Sequence, residues 1–263
     1  MSKFEDFVYL TIQSAGRPQN VKPMLKALAP IVPVWFVPFG QQDAYRSEGA
    51  LVVPVVGEVP MKPKQLNEAL KMAWNNGKIA VTMDDDYVRT KKLYVDAEGK
   101  IKTRDVSLPD FLNEMLVEML QSDYKLGGVS ANMNPLWGAE TSTDYGMITG
   151  QVMFHKLSHI RFDENMPMME DLEIVLRHHQ EFGGVMKNRS FLQEFHMMGR
   201  NAKSDATHSG GYANARNEER LATAVGILQN KYQDEDVIIE NNGLGNSSHS
   251  KVKFKNFALK NRL

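Results

Sequence analysis

Ile79-Ala80-Val81-Thr82-Met83-Asp84-Asp85-Asp86 decides the fold, because a short run with no solvent-facing polar side ends abruptly in three aspartates. Strands of that kind are buried on both faces, as a parallel sheet requires. Ligands of such sheets gather beyond the carboxyl ends of the strands, which is where the acids fall. Reading backwards, Pro63 to Trp74 carries Leu66, Ala69, Leu70 and Ala73 at helical spacing, and Gly77 is placed to end that helix. Leu51 to Val56 and Val32 to Val37 are further apolar strands, read as buried on both faces. Val21, Met24, Leu25 and Leu28 mark a helix that Asn20 caps and Pro30 ends. Phe7 to Ile12 is the first strand, and it leaves through the turn-rich Gln13-Ser14-Ala15-Gly16-Arg17-Pro18. This order predicts right-handed crossovers and a single layered α/β/α (Rossmann-like) domain with a mixed, mostly parallel sheet. Downstream, Leu108 to Leu120 reads as an amphipathic helix, and Lys125 to Asn132 and Gly146 to His155 as strands. Helices open at Asp171 and span Ala213 to Tyr232.

With 263 residues, 42% of them apolar and 9% aromatic, the chain can bury a sizeable core, which excludes disorder as the ground state. Lys and Arg number 31 against 32 Asp and Glu, so no chain-wide field draws it to a polyanion and any nucleic-acid contact must be local. The absence of cysteine excludes disulfides, thiolate metal sites and cysteine nucleophiles, and suits a reducing compartment. Metal chemistry then falls to oxygen or imidazole. The longest apolar region, Ala27 to Gly40, is broken by Pro30, Pro33 and Pro38, so no membrane span is expected; no signal sequence is evident, and a cytoplasmic location is expected. The 16 methionines point to soft core packing.

On an extended backbone Asp84 and Asp86 project to one face and Asp85 to the other. Two converging carboxylates repel unless a cation lies between them, and hard oxygen ligands suit Mg²⁺ or Mn²⁺. Such an ion also neutralises a departing diphosphate. A solvated turn or a helix cap is the competing reading. A second acidic site, Glu170-Asp171, stands where a helix begins, and the positive end of the helix dipole keeps Asp171 ionised and able to accept a proton from a hydroxyl. Ordinary N-capping is the alternative there.

Pro63-Lys64-Gln65-Leu66-Asn67-Glu68-Ala69-Leu70, the Gly77-Lys78 turn and the strand into Asp84-Asp85-Asp86 together resemble the nucleotide-sugar glycosyltransferases of the GT-A fold. Ser14-Ala15-Gly16-Arg17-Pro18 is similar to that family's nucleotide-binding loop. Gly150 to Phe154, Ile160 to Glu164, Glu170-Asp171 and Arg177 resemble its acceptor half, and the likeness runs over residues 6 to 245. It implies a domain over residues 1–245, with a nucleotide-sugar half at about 1–105 and an acceptor half at about 106–245, followed by a basic tail at 246–263. It further implies donor binding by Ser14, Arg17, Tyr45, Lys64, Asn67, Asp84, Asp85 and Asp86. Asp84 and Asp86 would hold Mn²⁺ or Mg²⁺, with His208 as a late ligand for which His196 competes, and Asp171 beside Glu170 would supply the base. Thr207 to Tyr212 before a final helix looks most like the TET-associated glycosyltransferases of bacteriophages. That resemblance implies a nucleotide-sugar donor, UDP-sugar foremost, and hydroxymethylated pyrimidines of phage DNA as acceptor.

After Glu240 the chain carries no acid, while Lys251, Lys253, Lys255, Lys260 and Arg262 alternate with Phe254 and Phe257. That composition suits phosphate contact with stacking, as DNA binding needs, or a plain solvated terminus. Tyr45 is either a nucleotide contact or a packing residue. Two other functions compete. Asp84-x-Asp86-x-Val88 also resembles the nucleophile motif of haloacid-dehalogenase-like phosphatases, although about 80 residues precede it here. A non-catalytic nucleotide- or DNA-binding module would keep the sheet without the chemistry.

Overall fold

Four parallel strands organise the amino-terminal part of the chain. β1 (Val8–Gln13) pairs on one side with β2 (Val34–Pro38), which pairs with β3 (Leu51–Val55), and on the other side with β4 (Ile79–Asp84). The computed structural model describes residues 4–57, 62–130, 148–195, 218–232, 237–240 and 251–254. β4 continues into antiparallel β8 (Ile148–His155) and β7 (Leu126–Ser130), with parallel β9 (Met186–Asn188) outermost. The result is a mixed, mostly parallel seven-stranded sheet of order β3-β2-β1-β4-β8-β7-β9.

Alternation along the strands sorts the two layers. Val8, Leu10, Ile12, Val81 and Met83 pack with Val21, Met24 and Leu28 of α2 (Val21–Leu28) and with Phe111, Leu112 and Met115 of α5 (Leu108–Gln121). On the opposite face Ala80 and Met153 pack with Leu66, Leu70 and Trp74 of α4 (Lys62–Asn75) and Ile174 and Val175 of α6 (Glu170–Phe182). Ser107 caps α5 by accepting the Asp110 N–H, and Gly77 closes α4 at φ 67, a conformation that suits glycine. Helix α7 (Glu218–Lys231) lays Ala224, Val225 and Leu228 against Leu172 and Leu176 of α6. Several methionines fill this interior, among them Met24, Met83, Met119 and Met186.

The topology reverses beside β1. The chain runs outward through β2 and β3, then α4 carries it back to β4 on the other flank of β1, so the switch point lies between the carboxyl ends of β1 and β4. Gln13 and Asp84 stand side by side in that register. The loop from Ser14 to Arg17 and the three aspartates therefore leave the sheet together.

Two local expectations are corrected. β3 is not buried on both faces; it is the edge strand, Leu51 is 52% exposed, and Pro54 is tolerated there because an edge need not donate on both sides. Asn20 caps nothing, because a turn of 3₁₀ helix (Pro18–Asn20) runs straight into α2 and Asn20 is itself helical. Residues 42–47 form the short helix α3 (Gln42–Ser47). A second antiparallel sheet of order β10-β5-β6 joins β5 (Tyr87–Val95), β6 (Ile101–Val106) and β10 (Phe191–Phe195), with Phe191 packed on Phe111. At the end of the described chain β11 (Val237–Glu240) pairs antiparallel with β12 (Lys251–Phe254). Among the described residues no helix is long and apolar enough to cross a membrane.

Candidate functional site

The two acidic motifs, 86 positions apart between Asp84 and Glu170, meet at the switch point on one lysine. Lys62, the first residue of α4, sets its ammonium 3.0 Å from an Asp84 oxygen and 3.2 Å from a Glu170 oxygen. Asp171, next to Glu170, rests against β8. A Cβ placed on Gly150 would lie 2.5 Å from the Asp171 Cβ and 2.7 Å from its Oδ2, so the absent side chain of Gly150 is what admits this carboxylate. Met169 takes φ 64 just before the helix, and this left-handed turn delivers Glu170 and Asp171 as its first residues. Asp171 is therefore inside the helix rather than capping it, and its Oδ1 accepts the Leu172 N–H at 2.9 Å.

The side chains of the loop after β1 turn inward. Ser14 is fully buried and its hydroxyl lies between the Tyr45 hydroxyl, at 2.6 Å, and Asp85. Arg17 pairs closely with Asp85 and stands 3.5 Å from Asp86, while its N–H donates to the Tyr45 hydroxyl at 2.9 Å. Tyr45 lies on α3, is buried completely and packs on Trp35, so it supports the loop. The side chains of Ser14, Tyr45 and Asp85 thus hold the loop from beneath. Gln65, buried on α4, adds to that support by donating to the carbonyls of Ser14 and Phe36 at 3.0 and 2.8 Å.

Asn67 joins α4 to the following half of the chain. Its amide donates to the Phe162 carbonyl and to Glu164, and its oxygen accepts the Phe162 N–H at 2.8 Å. Lys64 lays its side chain over Gly57 and does not pair with the aspartates. It was Lys62 that sequence reasoning passed over. Its signal was position, immediately before Pro63, where the chain enters the helix at the carboxyl edge of the sheet. His196, His208 and Lys255 lie outside the described residues, and Lys251 and Lys253 belong to β12.

The electrostatics report a surplus of negative charge. Burial, against the opposing pull of Arg17 and Ser14, pushes the Asp85 carboxyl up to about 7. Burial and the neighbouring charge of Asp84 push Asp86 up to about 6. Asp171 also rises, through burial first and the Glu170 charge second. Burial opposes the charge on Lys62, but Asp84, Glu170 and Asp171 together hold it well above the ordinary lysine value. Five carboxylates, Asp84, Asp85, Asp86, Glu170 and Asp171, thus face the two cations that pair with them, Arg17 and Lys62. An all-oxygen donor set with unmet negative charge fits a hard divalent ion held by Asp84 and Asp86. Among the described residues no group of three or more acids or histidines stands together so as to hold a metal ion, so an ion on Asp84 and Asp86 would take its remaining ligands from outside the protein.

No protein-family model matches the chain, and no curated protein matches it. Among solved structures, the 4-diphosphocytidyl-2C-methyl-D-erythritol synthase of Anaerococcus prevotii DSM 20548 is similar at 10% identity, over 85% of this chain and 96% of that one, with a TM-score of 0.39.

Proposed function

We propose that this protein is a GT-A-type glycosyltransferase that moves a sugar from a nucleotide diphosphate donor, a UDP-sugar foremost, to a hydroxyl, with a hydroxymethylated pyrimidine of phage DNA as acceptor. The convergence of Asp84, Asp86, Glu170 and Asp171 at the switch point carries this reading. Asp84 and Asp86 would hold Mn²⁺ or Mg²⁺, which supplies charge neutralisation for the leaving diphosphate. Asp171 takes the proton of the acceptor hydroxyl as its oxygen bonds to the anomeric carbon, and the electron pair of the broken glycosyl–oxygen bond leaves with the diphosphate. A carboxyl raised by burial is a stronger base than a solvated one, which suits that role. The loop from Ser14 to Arg17 is braced chiefly by Asp85, which leaves Asp84 outside its support. The acid-free segment after Glu240, with Lys251, Lys253 and Lys255, supports a DNA acceptor.

A thermal-shift screen of nucleoside diphosphates with and without Mn²⁺ tests the donor class, since a specific ligand raises stability by an amount set by its concentration over its dissociation constant. The reading predicts a metal-dependent shift with one nucleotide, followed by donor turnover that Asp86→Ala abolishes. Metal-dependent phosphate release from a simple monoester through an aspartyl intermediate at Asp84 would replace it with the phosphatase, and DNA binding indifferent to all three aspartates, without turnover, with the binding module.

A further inference from the structure

Lys62 is the residue through which the two acidic motifs touch, and its position does more than balance charge. We infer that Lys62 is a binding residue for the donor diphosphate, held between Asp84 and Glu170 until that group arrives; the inference rests on the sugar-transfer reading above. An ammonium has three N–H donors, and that of Lys62 is ion-paired with Asp84 at 3.0 Å and with Glu170 at 3.2 Å. The Lys62 side chain keeps 24% of its surface open, with Asp84 at 25% and Glu170 at 13%, so the bridge is partly open to solvent. The bridge stands at the carboxyl edge of the sheet, where ligands of such sheets bind. Lys64, two residues on, lies over Gly57, so the start of α4 directs one of its lysines, Lys62, to the acids. With Asp84 engaged by a divalent ion, the ammonium would keep Glu170 on one side and could accept a donor phosphate in place of Asp84, since lysine binds phosphate as a compact point charge without demanding one geometry.

The test uses inorganic pyrophosphate, which needs no knowledge of the base or sugar, titrated calorimetrically into the full chain at fixed Mn²⁺. Mn²⁺ binding alone is followed in parallel by electron paramagnetic resonance of the free ion. Lys62→Met should weaken pyrophosphate about ten- to hundredfold, hold Mn²⁺ at least as tightly as wild type because its competitor for Asp84 is gone, and be largely rescued by Lys62→Arg. Should Lys62→Met melt early, the Lys62→Met/Glu170→Gln pair, which removes one charge of each sign, carries the same expectation. Wild-type pyrophosphate affinity in a folded Lys62→Met protein overturns the inference alone and makes Lys62 a structural counter-ion. Wild-type protein that binds neither Mn²⁺ nor pyrophosphate overturns the sugar-transfer reading together with it.

Discussion

Replacing Gly150 with alanine should strike Asp171 and little else. The new methyl would lie 2.5 Å from the Asp171 Cβ, 2.7 Å from Oδ2 and 2.9 Å from Cγ, whereas ordinary contact begins at 3.4 Å. Gly150 has no left-handed φ to preserve, so the backbone accepts alanine and the crowding falls on the carboxylate. Asp171 must retreat by about 1 Å, and a displacement of that size at a reacting group costs on the order of 10²-fold in rate. Overpacking costs about 1–3 kcal/mol in addition, which for a chain of this length is a fall of a few degrees in Tm. Steady-state kinetics with a fixed donor should show kcat down about a hundredfold and donor KM little changed, since Asp171 serves the acceptor. Gly127→Ala on β7 is the control: its methyl would meet Met186 and Met119 at 2.6 and 2.7 Å, a comparable crowding that should lower Tm without lowering kcat. Wild-type kcat in Gly150→Ala, or an equal loss in Gly127→Ala, would refute the placement of Asp171 at the reacting hydroxyl.

Three other outcomes follow from the same geometry. Arg17→Met leaves Asp85 buried without its partner and should cost about 3–5 kcal/mol, read as a loss on the order of 10 °C in Tm; Arg17→Met/Asp85→Asn should recover much of it in a double-mutant cycle. His155, buried and bonded to Thr82, is pushed down by burial and the His178 charge to about 3. Below the unfolded value of about 6.5 the unfolded chain gains a proton the folded one refuses, so stability declines as pH falls from near 6.5 toward 3. His155→Gln should flatten that slope in melts taken between pH 4 and 7, and an unchanged slope would assign it elsewhere. Removing divalent metal with EDTA, or Asp84→Asn, should abolish donor turnover while leaving the far-ultraviolet circular dichroism intact.

The parts of the fold legible in the sequence are those where one face is uniformly apolar. β1, β4, α4 and α5 appear within a residue or two of their expected limits, because burial imposes a period of 2 or 3.6 that nothing interrupts. The β5-β6-β10 sheet was illegible because Arg89, Lys102, Arg104 and Asp105 at exposed positions, with the part-buried Lys91 and Lys92, leave too few apolar residues to mark a period. β3 reads as doubly buried because local sequence does not say which strand stands at the edge. At the site, the aspartates and Glu170-Asp171 were visible as chemistry, but their meeting through Lys62 depends on a long-range crossover. The inward turn of Ser14, Tyr45 and Asp85 was equally hidden, since a buried ionic network and a ligand-binding loop use the same residue types.

The most direct measurement is anomalous diffraction at the manganese edge from crystals grown with Mn²⁺ and the sugar nucleotide identified by thermal shift. The proposed chemistry predicts a single peak coordinated by Asp84 and Asp86, with diphosphate oxygens on the ion and the sugar directed toward Asp171. Manganese and nucleotide found at another surface, with Asp84 still paired to Lys62 and both facing solvent, would contradict it.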